Sequence, residues 1–497
     1  MSTDHDVSGF GYRQDFERTI RSFTSFAVAF SFISITTGIF TTYAFALQSG
    51  GPAAIWTWPI VIAGQLCVAL VFGALAAKIP LSGFSYQWAS RLTNPVIGLF
   101  IGWISYSFLA IVVISVDYGG FVLTAFDPLF GITNGAHTVF SLPGADVSQD
   151  VLVTLAVVLV QAAMIIFSTK LVEMVNNAAV ATEIIGIVGL TVVLALAVIF
   201  GSDGSFSNLS STGIVHDHWF TWLGPIMLST LLGAYTIVGF ETSANLAEET
   251  HEPRRVVPRA MWTSVLYSGV IGMVFLIAVT IAMPSGRIAE LTGSSTVVAD
   301  IIKIQLGSVV EKIFLIFVCI SIFACGLIIY VSQSRLIWSM SRDERFPGYQ
   351  VFRRVNRTTR TPINAVILGW VVAAILLIWF SDRVFDLFTA STQLPAMYYL
   401  ATVLLYIATR TKLKTEEGFF TLGKWEPLVV GVALVWLVYE LAVVFGPDIF
   451  HKAAKYTLGM TLAGVVWIIL LQVFHRSALE QPPSAVPEEA AAPEGAL

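Results

Sequence analysis

Apolar blocks of about 20 residues recur along this chain and are separated by short polar segments. Because a bilayer core about 30 Å thick takes roughly 20 residues of α-helix to cross, each block is long enough to span it. Of the 497 residues, 56% are hydrophobic and 12% are charged, whereas a soluble domain has about 25% charged residues. A soluble fold would leave too much apolar surface in contact with water. The sequence therefore predicts an all-α membrane protein.

The apolar blocks predict about twelve spans. One set of connecting segments carries 21 of the 27 Lys and Arg residues, and the other set carries six. Because basic loops stay in the cytoplasm, this asymmetry predicts a multi-pass protein of the cell membrane with both termini cytoplasmic. The predicted spans are Phe23–Leu47, Trp58–Ile79, Val96–Phe126, Val151–Phe167, Asn176–Phe200, Trp222–Ala247, Arg259–Met283, Ile313–Ser339, Ile363–Phe380, Val384–Ala408, Pro427–Phe445 and Thr457–Val473.

The chain is predicted to hold one membrane domain, residues 22–475, between two cytoplasmic tails. The N-terminal tail covers residues 1–21. The C-terminal tail, residues 476–497, is rich in Pro, Ala and Glu. Such a composition cannot bury a core, so this tail is predicted to be disordered.

Two of the spans contain local interruptions, Ser34–Phe40 and Tyr235–Glu241. Both combine hydroxyl-bearing and β-branched residues with a glycine, a composition that weakens a helix. Interrupted helices at corresponding positions of two halves indicate a transporter's binding site, because half-helix N-termini attract carboxylates and freed carbonyls attract cations. The alternative is that the glycines only permit close helix packing. The matched position, five spans apart, favours a binding site.

The residues predicted to bind substrate come from these interruptions and from the third span. They are Ser34, Ile35, Thr36, Thr37, Gly38, Ile39, Tyr235, Thr236, Val238, Gly239, Phe240, Glu241, Val113 and Asp117.

Two carboxyl groups within the spans require an explanation, because ionisable groups in a membrane are costly. Asp117 is predicted to pair with a substrate ammonium group or to carry a proton; the alternative is a hydrated carboxylate near the outer interface. Glu183 shares one helical face with Asn176, Val180 and Ile187, and is the candidate for carrying a coupling proton. The alternative for Glu183 is a protonated carboxyl hydrogen-bonded to a neighbouring helix.

Several segments resemble the amino acid–polyamine–organocation superfamily of permeases, and the most specific is Gly239–Arg259 (GFETSANLAEETHEPRRVVPR). The resemblance covers about residues 12–475 and leans towards the amino acid/choline branch, which includes γ-aminobutyrate permeases. The supporting segments are Gly11–Arg18 (GYRQDFER), Leu47–Pro52 (LQSGGP), Pro80–Ser90 (PLSGFSYQWAS), Ser334–Pro347 (SRLIWSMSRDERFP) and Thr361–Ala365 (TPINA).

The resemblance implies a five-plus-five inverted repeat of the leucine-transporter type. Repeat one would cover residues 22–201 and repeat two residues 220–409, with two extra helices in residues 427–474. It also implies a substrate site between the first and sixth spans. Glu241 would then organise the unwound segment by bonding backbone amides of helix 1 or 6.

The chain departs from this family in two ways. Many members have a Gly-rich interruption in the first span, where this chain has Ser34-Ile35-Thr36-Thr37-Gly38-Ile39. Fewer glycines leave less exposed amide surface for a substrate carboxylate. A Lys that replaces sodium on helix 5 of some proton-coupled relatives is absent from the fifth span here.

Charged residues near the cytoplasmic ends of spans 6 and 8 are candidates for the ion pairs of an inner gate. These are Glu248, Arg254, Arg335 and Asp343. The alternative is a set of hydrated interfacial charges, which contribute little to stability.

The predicted function is secondary active import of an amino acid or a related amine, such as γ-aminobutyrate, by alternating access. A proton is the predicted coupling ion, and sodium is the alternative coupling ion. The first alternative is an importer of a cationic amine such as ethanolamine, choline or a polyamine; the second is a channel or a non-transporting nutrient sensor. Because no phosphate-binding loop or catalytic constellation is present, we predict no enzyme activity, no metal, no cofactor and no nucleic-acid partner.

Overall fold

The computed structural model describes residue 7 and residues 9–132, 135–201, 203–215, 218–412 and 419–480. It confirms an all-α membrane protein, whose long helices we number in chain order. They are α1a (Ser22–Ile33), α1b (Ile35–Gly50), α2 (Thr57–Lys78), α3 (Pro95–Ile114), α4 (Gln149–Phe167), α5 (Thr169–Ile199), α6a (Leu231–Thr236), α6b (Thr242–Asn245), α7 (Pro253–Ala282), α8 (Ser308–Arg342), α9 (Ile363–Phe380), α10 (Val384–Thr409), α11 (Glu426–Phe445) and α12 (His451–Phe474).

Shorter elements connect these helices. A two-stranded antiparallel hairpin, β1 (Thr138–Leu142) and β2 (Ala145–Ser148), lies between α3 and α4. The short α-helices are Phe84–Leu92, Asp127–Phe130, Pro225–Leu228, Ile288–Thr292, Val297–Leu306, Tyr349–Phe352 and Ser477–Glu480. The short 3₁₀ turns are Pro52–Trp56, Phe206–Ser210, Ala247–Glu249, Ser285–Arg287, Ser381–Arg383, Arg410–Lys412, Gly423–Trp425 and Asp448–Phe450.

Ten helical segments of the described residues are long and apolar enough to cross a membrane. One of them, Ile363–Thr409, contains both α9 and α10. The sixth predicted span is absent from the ten because it is not one helix but the three pieces Pro225–Leu228, α6a and α6b. With α9 and α10 counted separately, the ten segments contain eleven of the predicted spans, and the three pieces form the remaining one.

Helices α5, α7, α8 and α12 begin earlier than their predicted spans, and polar residues take part in their first turns. Helix α5 begins at Thr169, where the hydroxyl of Ser168 accepts a hydrogen bond from the Leu171 amide and caps the helix. Such a cap satisfies one of the four free amides of a helix start. Helix α12 begins at His451 rather than Thr457.

The helices pack so that the two interrupted ones lie together in the centre of the bundle. Helix α1b packs against α6a, and α1a packs against α6b, so the two interrupted helices run antiparallel. Helix α7 packs on both α2 and α1a, and α8 contacts α1, α3 and α5. Helices α5, α11 and α12 carry exposed apolar side chains such as Ile185, Val435 and Leu462, as expected for surfaces that face lipid.

The residues before α1 dock onto the bundle. We call residues 9–21 the N-terminal strap. The side of the bundle that the strap covers is called the basic side. Phe10, Phe16 and Ile20 of the strap are buried, and Ile20 pairs with Thr250 in an isolated β-bridge. At the other end of the chain, Ser477–Glu480 form a helical turn. The remaining residues of the C-terminal tail, 481–497, lie outside the described residues.

Candidate functional site

The interruption of α1 is a single residue. Ser34 has φ 35° and ψ 93°, and its hydroxyl accepts a hydrogen bond from the Thr37 amide at 3.2 Å. This cap restarts the helix at once. The sequence predicted a longer interruption, Ser34–Phe40, but Ile35–Phe40 are helical.

The interruption of α6 is longer and depends on a glycine. Helix α6a ends at Thr236 and α6b begins at Thr242, so Tyr235 and Thr236 belong to the last turn of α6a and not to the unwound segment. Gly239 has φ 78°, and a Cβ atom there would lie 1.9 Å from the ring of Phe32. Only glycine combines this backbone conformation with so close an approach.

Glu183 of α5 binds the start of α1b. Its Oε1 accepts hydrogen bonds from the Thr36 amide at 3.0 Å and from the Ser34 hydroxyl at 3.1 Å. Glu183 and the three residues predicted to share its helical face, Asn176, Val180 and Ile187, are all buried. Glu183 therefore serves as a carboxylate acceptor at a helix N-terminus, a favourable place for negative charge.

Glu241 is held by a neighbouring helix. Its two carboxylate oxygens accept hydrogen bonds from the hydroxyls of Tyr398 and Tyr399 on α10, the latter at 2.7 Å. The Tyr399 oxygen in turn accepts a hydrogen bond from the Gly239 amide at 2.9 Å. The expected link between Glu241 and the unwound backbone thus runs through Tyr399.

Asp117 lies where α3 changes its winding. Residues Ser115–Phe126 continue α3 as a π-helix, a wider form found frequently at functional sites. The Asp117 side chain is fully buried, so the alternative of a hydrated carboxylate is wrong. Its Oδ1 accepts a hydrogen bond from Gln161 Nε2 at 2.9 Å, whereas Oδ2 has no hydrogen-bond partner among the described residues. Gly326 of α8 leaves the space for it, because a Cβ there would lie 2.3 Å from Oδ1.

Cys325 and Tyr235 are buried near the two carboxyl groups. Cys325 of α8 lies within electrostatic range of both Glu183 and Asp117, and its thiol donates to the Phe32 carbonyl at 3.3 Å. The hydroxyls of Tyr235 and Ser115 lie 3.0 Å apart. Helices α1, α3, α5, α6 and α8 therefore meet at one polar centre.

The other predicted substrate residues are buried around this centre. Phe240 packs against the rings of Phe72 and Tyr399, and Gly38 lies against the Thr236 side chain. The buried set also includes Ile35, Thr37, Ile39, Val113 and Val238.

Three of the four gate candidates, Glu248, Arg335 and Asp343, form ion pairs on the basic side. The Glu248 carboxylate binds both terminal nitrogens of Arg342 at 3.0 Å, and Arg335 Nε binds Glu249 at 2.7 Å. Glu248 and Arg335 are at most 1% exposed, so the alternative of hydrated interfacial charges is wrong for them. Arg254 lies over the Phe419 ring.

The N-terminal strap completes this network. The hydroxyls of Tyr12 and Tyr86 each donate to Asp343 at 2.6 Å. Burial, followed by the Asp343 charge, raises the pKa of Tyr12 to about 12, so Tyr12 remains a donor at neutral pH. Gln14 of the strap donates to the Glu248 carbonyl at 2.7 Å, and the Phe16 ring lies 5.1 Å from the Arg335 guanidinium. We call these ion pairs and strap contacts the basic-side gate.

Aromatic and hydroxyl contacts close the opposite side. The hydroxyls of Tyr43 and Thr280 lie 2.8 Å apart, joining α1b to α7. The Phe40 and Phe314 rings stack at 5.8 Å, and Phe45 packs against Phe385 of α10. Both sides of the polar centre are thus covered.

Sequence reasoning missed three residues that bind carboxylates of the site and one buried carboxyl group outside it. Gln161, Tyr398 and Tyr399 bind the intramembrane carboxylates, but nothing local distinguishes them from packing residues. Glu440 of α11 is buried with Gln65 Nε2 as its neighbour at 3.4 Å. A lone carboxyl within an apolar span is itself a signal, so Glu440 could have been found.

Comparisons with known proteins agree with this architecture. The family profile for amino acid permeases matches residues 20–470. The amino-acid permease BAT1 of Arabidopsis thaliana is 26% identical, with 93% of this chain and 92% of the relative covered. Its homolog from Oryza sativa subsp. japonica is also 26% identical, over 93% and 91%. An uncharacterized amino-acid permease of Schizosaccharomyces pombe is 23% identical, over 84% and 75%. Because the profile covers most of the chain, this protein belongs to the amino acid permease family.

Proposed function

We propose that this permease imports an amino acid or a related amine across the cell membrane by secondary active transport. The observation that carries the proposal is the pair of interrupted helices α1 and α6, packed together with the buried carboxylates Glu183 and Asp117 beside them. Interrupted helices surrounded by polar groups are typical of transporter binding sites. The relatives' names, amino-acid permeases, support the substrate class.

In this proposal the substrate lies between Ser34 and the unwound segment of α6, with α3 and α8 as the opposite wall. Asp117 is the counter-ion for the substrate's ammonium group. Its Oδ2 is buried without a hydrogen-bond partner among the described residues, and a buried polar atom in that state gains most from a charged donor.

Alternating access would move α1, α2, α6 and α7 against the other helices. The contacts of α7 with α2 and α1a, and of α1b with α6a, support treating these four helices as one body. Opening towards the cytoplasm would separate Arg335 and Arg342 of α8 from Glu249 and Glu248, which follow α6b. In this reading the basic side is cytoplasmic, as are both termini.

A proton is the coupling ion in this proposal, and Glu183 carries it. Dependence of uptake on sodium at constant pH would favour sodium instead.

A cationic amine without a carboxylate is the second candidate substrate. It is favoured by the α1 interruption, where a carboxylate of the protein itself, Glu183, already binds the Thr36 amide.

A binding screen tests the proposal. Purified protein is heated with amino acids, γ-aminobutyrate, choline, ethanolamine and polyamines, because a ligand of the folded state raises its melting temperature. Asp117→Asn should weaken binding of the stabilising amine about tenfold or more, the loss of about 1.4 kcal/mol. Glu440→Gln removes another buried carboxylate, outside the site, and should leave the affinity unchanged.

Counterflow in proteoliposomes separates a carrier from the other classes. A carrier exchanges labelled solute for unlabelled solute, whereas a non-transporting sensor does not.

In the binding screen, unchanged amine affinity in Asp117→Asn would remove Asp117 as the counter-ion.

A further inference from the structure

Three amides near the start of α1b are already occupied by groups of the protein. A helix normally leaves its first amides without partners, and these amides bind anions. Here the Thr36 amide donates to Glu183, the Thr37 amide donates to the Ser34 hydroxyl, and the Gly38 amide donates to the Ser34 carbonyl. A substrate carboxylate that is to bind the Thr36, Thr37 or Gly38 amide has to displace one of these acceptors.

Glu183 is the acceptor that can be displaced. Ser34 belongs to the same chain segment as the amides, whereas Glu183 reaches them from another helix. Its only described hydrogen bonds are those from Thr36 and Ser34. Among the described residues no Lys, Arg or His forms an ion pair with it, and the other ionisable groups acting nearby are Cys325 of α8 and, beyond it, Asp117 of α3.

We propose that Glu183 is a tethered competitor for the carboxylate of the substrate. A carboxylated amine gains the Thr36 amide only after Glu183 has released it, and a proton on Glu183 favours this release by removing the charge that the helix N-terminus attracts. An amine without a carboxylate does not compete with Glu183. This inference rests on the proposed function and deepens it, because it explains how one proton is linked to one carboxylated substrate.

A second feature, a small cavity, lies on the same face of α5 between Glu183 and the basic side. Asn176 lies about two helical turns from Glu183 on the same face of α5, and both polar atoms of its buried side chain have no hydrogen-bond partner among the described residues. Asn176 lines a small cavity that also contacts Thr169, Glu249 and Arg335. The polar groups at this cavity suit a water molecule, which would pass a proton between Asn176 and the basic side.

Pairs of compounds that differ only in the carboxyl group test the proposal. The probes are γ-aminobutyrate with propylamine, and leucine with 3-methylbutylamine, titrated onto the purified full chain at pH 5.5 and pH 7.5. For the wild type we expect the carboxylated member of at least one pair to bind about tenfold more tightly at pH 5.5 than at pH 7.5. This difference is the size of a favourable helix-terminus interaction. In Glu183→Gln its affinity at pH 7.5 should equal the wild-type value at pH 5.5 and no longer change with pH. The amine member should show no such gain.

The design separates the possible causes. A pH effect acting through Asp117 would change both members of a pair alike, because it acts on the ammonium group that they share. Glu183→Asp, which shortens the side chain and withdraws it from Thr36, should behave as Glu183→Gln does. Glu440→Gln is the matched control and should keep the wild-type pH dependence.

Two results would overturn the inference. If Glu183→Gln keeps the wild-type pH dependence for the carboxylated probe, Glu183 is not the competitor. If Glu183→Gln changes both members of a pair equally, its role is structural. Failure of the wild type to bind any amine of the screen is a different outcome, since it would contradict the proposed function itself.

Discussion

The interruptions of α1 and α6 are held together in the same way but with opposite chemistry. At α1, Glu183 of α5 accepts a hydrogen bond from the amide of Thr36. At α6, the hydroxyl of Tyr399 on α10 accepts a hydrogen bond from the amide of Gly239 and donates one to Glu241. Each broken helix is therefore capped by a side chain from one other helix, α5 at α1 and α10 at α6. One proton can neutralise the cap at α1, whereas the cap at α6 is a neutral hydroxyl held by a buried carboxylate.

The two interruptions also differ in their backbones. The α1 interruption is one residue, Ser34, while the α6 interruption runs through Ile237–Glu241 and includes a glycine at positive φ. The longer interruption has more backbone groups to satisfy, so it should be the fixed part of the site and the α1 interruption the adjustable part. The following substitutions test this contrast, in order of decreasing expected effect on stability.

Gly239→Ala should destabilise the protein most, by about 3 kcal/mol or more, because the new methyl group would enter the Phe32 ring at an unfavourable φ. The thermal unfolding midpoint in a fixed detergent measures the effect. Gly189→Ala on α5 is the control, since its Cβ meets nothing within 4 Å. Equal midpoints for the two variants would contradict the view that the α6 interruption is fixed.

Tyr399→Phe should cost about 2 kcal/mol, because it leaves the Gly239 amide and one oxygen of Glu241 without their partner in a buried place. The same unfolding measurement applies. Tyr267→Phe serves as the control, because Tyr267 is exposed. A loss no greater than that of the control would mean that the hydroxyl does not hold the unwound segment.

Ser34→Ala should cost about 1 kcal/mol, the usual value of a lost helix cap. Ser34→Gly should cost less, because glycine adopts the φ of 35° without strain. The midpoints of the two variants are compared with that of Ser105→Ala, whose hydroxyl binds only a carbonyl of its own helix. The reverse order, with glycine worse than alanine, would show that Ser34 is not strained.

Glu183→Gln should have the smallest effect on stability, below about 1 kcal/mol, because an amide oxygen still accepts from Thr36 and Ser34. Glu241→Gln should cost more, since its amide nitrogen would face a tyrosine hydroxyl that now donates to a carboxylate oxygen. If both variants lose the same stability, the two carboxylates serve equivalent structural roles and the contrast between the interruptions fails.

Composition and spacing predicted the membrane class, the spans and the existence of both interruptions, because these depend on local runs of residues. The extent of the α1 interruption was not predictable in this way. Ser34 restarts the helix through its own side chain, so residues with weak helix propensity such as Thr36 and Thr37 stay helical. The Ser34 cap here overrides the weak propensity of these residues.

The partners of the charged and polar residues were the least predictable part of the site. Glu248 pairs with Arg342 rather than with the nearby Arg254, and Glu241 binds tyrosines about 157 residues later in the chain. Such pairs depend on how helices pack, which no local pattern contains. The burial of Glu183 follows from its helical face, but its binding to the α1 interruption does not.

The N-terminal strap has a consequence for how the protein is made. Tyr12 binds Asp343, which is 331 residues later in the chain, and Gln14 binds the Glu248 carbonyl. During synthesis the strap emerges before α6 and α8, so its partners on these helices do not exist until α8 has been translated. The basic-side gate is therefore among the last features to assemble, and until then the unfinished chain has no closed gate on that side.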